Sequence, residues 1–381
     1  MSDEVKLGII GVGLIGKMHL ERYRGKVRSQ PYPFESLPPV PDARIIAACD
    51  INEEELERVA KEYDIPHTFT DFRELLAMDE IVAVDVCLHN NLHAPVTIAA
   101  LEAGKNVYCE KPLAGSLVDA RRMCLKAQEV GRLLSVQLRS LFSKETAAAK
   151  RLIDEGHLGK LYYAKSSYYR RRGRPFVDGY GSSLFVQKEV AAGGALFDMG
   201  CYHIAQILYL LGNPDALTIS GTTHQEINMY EERRKEANYN VEELSIGLVR
   251  LAGGVTFFIE EAWAIHLAGT DGSKLVGAKG GITLSPFAYH TTIGDMEMNA
   301  DFNLGAAQAR WMSVFPETSA YLSSQHHWVA ALQGRVELLP TAQIGLNTML
   351  ISEGIYLSQQ LGREVTPEEV RERSVSTALD L

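Results

Sequence analysis

The chain has 381 residues, 46% of them apolar, with 38 basic and 48 acidic side chains and a formal net charge of −10. That length accommodates about two domains with ample cores. The acidic balance argues against nucleic acid as a partner, because phosphate binding needs a basic face, and no apolar run reaches the ~20 residues of a membrane span.

The opening MSDEVK reads as neither a signal nor a transit peptide. Residues 5–11 are an apolar strand that runs into Gly11-Val12-Gly13-Leu14-Ile15-Gly16, and a helix is predicted over 14–23. Strand, glycine turn and helix in that order form a dinucleotide-binding turn. Gly11 permits the bend, Gly13 lets the pyrophosphate approach the backbone, and Gly16 lets the helix sit close to the strand. The helix N-terminus adds free N–H groups and a positive dipole end.

Strands are then predicted over 44–50, 67–70, 81–88, 106–109 and 133–138, alternating with helices over 53–63, 71–78, 94–103 and 116–130. Such βαβ units give a doubly wound parallel sheet, here a Rossmann domain over 1–140. Residues 25–42 hold five prolines and displace the acid after strand two, Asp50, to 34 residues past Gly16, against a usual spacing of about 20. The segment reads as an inserted surface decoration rather than a lid.

Beyond 140 the pattern changes. A helix over 144–155 and a strand over 161–169 precede one apolar helix over 195–211. Strands over 216–223, 242–251, 254–262, 273–277 and 281–284 follow, and two late helices over 325–333 and 341–361 close the chain. Grouped strands of this kind imply a C-terminal α+β domain over 141–381 with an open, mostly antiparallel sheet. The five cysteines (Cys49, Cys87, Cys109, Cys124, Cys201) are scattered, as expected of reduced thiols in a cytoplasmic protein. No metal-ligand spacing occurs, so no metal site is expected.

Asp50 is placed to accept from the adenosine ribose hydroxyls, and no arginine follows it to hold a 2′-phosphate, which favours NAD over NADP. The same carboxylate is also able to cap the next helix. The cofactor groove then takes Gly11, Gly13, Leu14, Ile15 and Gly16, with Asp50 and Ile51. It continues through Leu88, His89, Asn90, Asn91 and His93 after strand four, and Glu110 and Lys111 after strand five. Ligands bind at that carboxyl edge of the sheet. A lysine there, its pKa lowered by burial and by the cationic nicotinamide, can take a substrate hydroxyl proton while hydride moves.

In the apolar helix, Asp198 and Tyr202 are i, i+4 and share a face; a carboxylate buried there needs a partner such as Lys111. His203 either lines the pocket or is a satisfied core histidine. Arg170 and Arg172, in the run Tyr168–Arg174, either pair with surface acids or grip an anionic group on the substrate. Trp263, His266 and Tyr180 read as core or surface rather than sugar contacts.

With GVGLIGKMH, NNLHAPVTIAALEAGKNVYCEKPLA and GGALFDMGCYHIAQILYLLG assembled, the chain resembles the Gfo/Idh/MocA family of nicotinamide-dependent sugar and cyclitol oxidoreductases over nearly its whole length. The resemblance implies that Lys111 is the catalytic lysine and Asp198 the aspartate of a D-x-G-x-H/Y element. The last position of that element falls on Tyr202 rather than His203, so Tyr202, His203 or Lys111 alone remains open as the acid/base. It also implies a small-molecule sugar substrate and a homodimer or homotetramer formed through the open sheet. Two activities are compatible with these residues. One is NAD-dependent oxidation of a secondary hydroxyl of a sugar, glycoside or inositol. The other is glycoside cleavage by transient oxidation, elimination and re-reduction, possible for an anionic glycoside such as a uronate, phosphate or sulfonate.

Overall fold

A computed structural model describes residues 4–25 and 37–381. Most of the proline-rich insertion, and with it the choice between decoration and lid, lies outside the described residues.

Six strands build the first sheet: β1 (Val5–Ile10), β2 (Ala43–Cys49), β3 (His67–Phe69), β4 (Ala83–Val86), β5 (Asn106–Cys109) and β6 (Leu134–Val136). Their order is β3-β2-β1-β4-β5-β6, and every pairing is parallel. Five helices cross between them: α1 (Leu14–Tyr23), α2 (Glu53–Glu62), α3 (Phe72–Leu76), α4 (Asn90–Glu102) and α5 (Leu117–Val130). β4 and β6 are buried throughout because helices cover both faces. The register pairs Ile10 with Cys49 and Val86, Val86 with Cys109, and Cys109 with Val136. The last residues of five strands are therefore level, and Gly11, Asp50, Cys87 and Glu110 emerge together at one edge.

α4 starts at Asn90, not near residue 94 as the sequence indicates, with His89 as its N-cap. Pro95 lies inside the helix and cannot donate to Asn91 O; that carbonyl accepts the Leu379 N–H at 3.1 Å instead.

The second sheet has eight strands: β7 (Leu161–Tyr169), β8 (Ala216–His224), β9 (Leu244–Leu251), β10 (Val255–Ala262), β11 (Lys274–Gly277), β12 (Gly281–Leu284), β13 (Phe287–Ile293) and β14 (Met296–Asp301). Their order is β14-β13-β12-β11-β7-β10-β9-β8. Only β7 and β10 run parallel. β13 and β14 are not foreseen from sequence: neither has a buried residue, so neither carries the alternation that marks a strand over a core. The long helix Thr341–Leu361 lies on one face, its Ile355 buried in the main core with Val249, Phe257 and Ile259.

Two corrections concern helices. The stretch expected as one α-helix begins as a π-helix, Leu196–Gly200, and becomes α-helical at Cys201–Leu210. A further helix, Pro367–Arg373, follows the two expected to close the chain; a Thr366/Glu369 capping box starts it. The helix Ser324–Leu332 packs on the first sheet, where Trp328 is buried with Val5, Leu7 and Tyr108. Among the described residues no helix is long and apolar enough to cross a membrane.

Candidate active site

The glycine turn has the geometry its spacing implies. Gly11 has φ +93°, and a Cβ there would meet Cys87 O at 2.4 Å. A Cβ on Gly16 would meet Gly11 O at 2.0 Å, so only glycine lets α1 begin this close to β1. Gly13 differs: nothing of the protein lies within 4 Å of an added Cβ. Its backbone faces open space at the N-terminus of α1, the cradle that a pyrophosphate fills. Leu14 is 51% and Ile51 91% exposed along the same edge.

Asp50 ties this turn to β2. Its Oδ2 accepts the Val12 N–H at 2.8 Å and its Oδ1 the Asn52 N–H at 3.0 Å. A carboxylate has about four acceptor positions, so capacity remains for ribose hydroxyls. The capping reading of Asp50 is corrected, since Asn52 is the N-cap of α2 and accepts from Glu55 N at 3.1 Å.

The residues after β4 divide. His89 lies edge-on to Phe185, with ring centroids 6.2 Å apart. The Asn90 amide donates to Ala191 O at 2.7 Å and that of Asn91 to Glu189 O at 3.3 Å, joining α4 to the second domain. Asn91 is buried. His93 is fully buried, its ring between Pro112 O at 2.8 Å and Leu88 O at 3.1 Å, and burial lowers its pKa. Its ring lies between the turns that follow β4 and β5. Glu110 is likewise buried: Oε1 lies 2.8 Å from His19 Nε2, and Oε2 accepts the Lys111 N–H at 3.0 Å.

Lys111 and Asp198 meet across the domain boundary. Lys111 Nζ donates to Asp198 Oδ1 at 2.7 Å and to Asp198 O at 3.0 Å. Trp263, fully buried, donates its indole N–H to Asp198 Oδ2 at 2.9 Å. The tryptophan is core, as expected, yet it also fixes the carboxylate. Burial opposes charge on both partners, but their mutual attraction prevails: Lys111 is held well above and Asp198 below its ordinary pKa. The expectation of a lowered lysine pKa is thus reversed for the protein alone.

Tyr202 belongs to the same cluster. Its ring centroid lies 4.8 Å from Lys111 Nζ and 4.9 Å from Arg139 Cζ. Burial pushes the phenol up to about 12, against the pull of Lys111. His203 points elsewhere. Its Nδ1 lies 2.9 Å from Oε2 of the buried Glu261, and its ring stacks on Tyr168 at 5.0 Å. Tyr202 and His203 both line a cavity of about 650 Å³, with Arg139, Ser140, Tyr168 and Gln206.

The two arginines part company because β7 ends at Tyr169 and face alternation ends with it. Arg170 Nη1 donates to Gly173 O at 3.1 Å and to Tyr180 OH, Nη2 contacts Met199 Sδ, and its charge contributes to lowering the Asp198 pKa. Arg172, partly exposed, bonds Asp178 and Asn228 O in the following loop. Sequence reasoning missed His19, Arg139, Glu261 and the role of Trp263. Only the tripeptide spacing of His19 from Gly16 offers any local signal. Among the described residues no cluster is placed to hold a metal ion.

Residues 5–138 match the model described as "Oxidoreductase family, NAD-binding Rossmann fold", and residues 146–283 match the GFO/IDH/MocA C-terminal domain. The chain belongs to the Gfo/Idh/MocA family. It is a family oxidoreductase with NAD as cofactor, and the open cradle at Gly13 fits that group. This Gfo/Idh/MocA chain is 25% identical to D-glucoside 3-dehydrogenase of Escherichia coli over 372 residues, covering 96% of this chain and 98% of that one. Its fold matches an oxidoreductase from Agrobacterium radiobacter in complex with NAD+, L-tartaric acid and magnesium, with TM-score 0.75 and 21% identity over 96% and 99% of the two chains. It also matches levoglucosan dehydrogenase in complex with NADH and levoglucosan, with TM-score 0.75 and 20% identity over 95% and 99%.

Proposed function

We propose that this enzyme oxidises a secondary ring hydroxyl of a neutral glycoside, using Lys111 as the proton acceptor. The observation that carries the reading is the Lys111–Asp198 pair, 2.7 Å apart, at the sheet edge that also bears the glycine turn. The full-length similarity to a D-glucoside dehydrogenase supports the substrate class.

Bound NAD supplies a hydride acceptor for the carbinol carbon. Gly13 and the α1 N-terminus would hold its pyrophosphate and Asp50 its ribose, with Leu14 and Ile51 exposed along the same edge. Asp198, fixed by Trp263, aims the Lys111 side chain. Proton uptake needs the free amine, which Asp198 opposes, so turnover rises with pH. Tyr202, its phenol pushed up to about 12, stays protonated at neutral pH and donates a hydrogen bond rather than accepting the proton. His203, oriented by Glu261, contacts substrate from the cavity wall, and Arg170 borders the site without gripping an anion.

Outside the site, the face of the second sheet bearing Ile246, Leu248 and Phe258 is turned away from the helices and takes a second copy. All five cysteines are free, in keeping with a cytoplasmic setting. Light scattering after gel filtration tests the assembly; a mass of 42.1 kDa would reject it.

The test of function is incubation with NAD and aryl glycosides, neutral and anionic, following reduced-cofactor absorbance and aglycone release together. The expected result is NADH from a neutral glucoside without matching aglycone. Aglycone in large excess over NADH would replace the reading with redox-assisted glycoside cleavage. Lys111→Ala should lower turnover by on the order of 10²–10⁴-fold and leave NAD binding within about twofold; full activity in that variant removes the lysine from the mechanism.

A further inference from the structure

Three elements meet at one imidazole beneath the glycine turn. His19, on α1, has Nδ1 2.9 Å from Asp85 Oδ2 on β4 and Nε2 2.8 Å from Glu110 Oε1 just past β5. His19 is 1%, Asp85 0% and Glu110 7% exposed. The other groups facing the ring are Tyr23, which donates to Asp85 Oδ1 at 3.1 Å, Cys87, whose Sγ is 3.4 Å from Nδ1, and the Tyr108 ring at 5.5 Å. A ring with a carboxylate at each nitrogen satisfies both only as the imidazolium, one N–H to each. Burial opposes that charge, but Cys87, Asp85 and Glu110 outweigh it and raise the His19 pKa. Glu110 Oε2 is left to accept the Lys111 backbone N–H at 3.0 Å.

We propose that His19 is a positioning residue for the lysine: it fixes the Glu110 carboxylate, Glu110 fixes the Lys111 backbone, and the dinucleotide helix and the lysine turn are held as one unit. A buried ion triad adds little net stability over packed apolar side chains. It does fix direction, and at its far end the Glu110 carboxylate holds the main-chain N–H of Lys111. The inference rests on the Lys111 reading above, but its main measurement does not depend on that reading.

The substitutions separate the two arms of the ring. An asparagine at 19 places its amide near the Nδ1 position and loses Glu110; a glutamine reaches the Nε2 position and keeps it. Amide hydrogen exchange at Lys111, read in the full protein with and without NAD, is the primary measurement. His19→Asn should speed exchange at Lys111 by about tenfold or more while Val107, within β5, keeps its protection. His19→Gln should restore most of the protection. With the glycoside selected above, His19→Asn should lower kcat on the order of tenfold, with the Kd for NAD within about twofold, and His19→Gln should recover kcat. Glu110→Gln keeps an acceptor for His19 but leaves one fewer for Lys111, so it should speed the same exchange; it decides the matter if His19→Asn does not fold. Equal behaviour of the Asn and Gln variants, or wild-type exchange at Lys111 in Glu110→Gln, overturns the proposal. Retained activity in Lys111→Ala would remove the lysine reading and leave the exchange result standing.

Discussion

Asp198 sets the charge of the lysine it faces. Its anion lies 2.7 Å from Lys111 Nζ and holds the ammonium against the cost of burial. Asp198→Asn removes that anion and keeps an acceptor for the Trp263 N–H. The Lys111 pKa then falls, because burial is left with less to oppose it. A rate that needs the free amine consequently begins its rise at lower pH. The alkaline-rising limb of kcat/KM should move to lower pH in Asp198→Asn, while the plateau kcat falls about tenfold from poorer orientation. A pH profile from neutral to alkaline checks both; an unshifted limb would mean that another group is being titrated. The lysine and aspartate were legible in the sequence because each sits in a motif with its own local context. Trp263 and Glu261 were not, because their partners, Asp198 and His203, lie 65 and 58 residues away and pair with them only through sheet packing.

Strand ends and helix starts carry the cofactor site. In the first sheet nearly every element was legible, since buried parallel strands are short apolar runs and the helices between them have clear caps, such as Ser116 for α5 and Gly131 after it. In the second domain the strands over the core were legible and β13 and β14 were not, for want of a buried face. The π-turn at Leu196–Gly200 was invisible because it is stabilised from outside: Glu242 accepts the Gly194 and Leu196 N–H groups at 2.8 and 3.0 Å. The glycine turn gives the sharpest prediction for an element. Gly16→Ala forces a methyl to 2.0 Å from Gly11 O and should destabilise the protein by more than about 2 kcal/mol. Gly13→Ala meets no protein atom within 4 Å and should fold normally, yet it should weaken NAD about tenfold or more, because its methyl occupies the space the pyrophosphate needs. Thermal unfolding and calorimetric titration with NAD separate the two effects. Equal NAD affinity in Gly13→Ala and wild type would place the pyrophosphate elsewhere.

The whole chain is closed by its last residues, which return to the first domain after the second sheet is complete. Asp119, on α5 and 1% exposed, accepts Ser376 Oγ at 2.8 Å, Thr377 N at 2.9 Å and Ala378 N at 3.2 Å. Ser374 Oγ accepts the Val118 N–H at 3.0 Å, and Leu379 N donates to Asn91 O at 3.1 Å. The tail thereby joins the first turns of α4 and α5, and Asn91 joins α4 to Glu189 of the second domain. Deleting residues 374–381 leaves Asp119 with Ser116 and a 3.4 Å approach from Arg122. Bonds to a buried carboxylate contribute about 1.5–3 kcal/mol each, and water entering the vacated groove recovers part of that. The net loss should be about 2 kcal/mol, seen as a lower urea midpoint with an unchanged slope. Because α4 begins at the cofactor edge and loses one of its ties to the rest of the molecule, NAD affinity should fall several-fold as well. Asp119→Asn in the full-length chain should reproduce most of the stability loss while the Leu379–Asn91 bond persists. If the truncated protein unfolds at the wild-type midpoint, the tail rests on α5 without supporting it, and the coupling between tail and cofactor edge is lost with it.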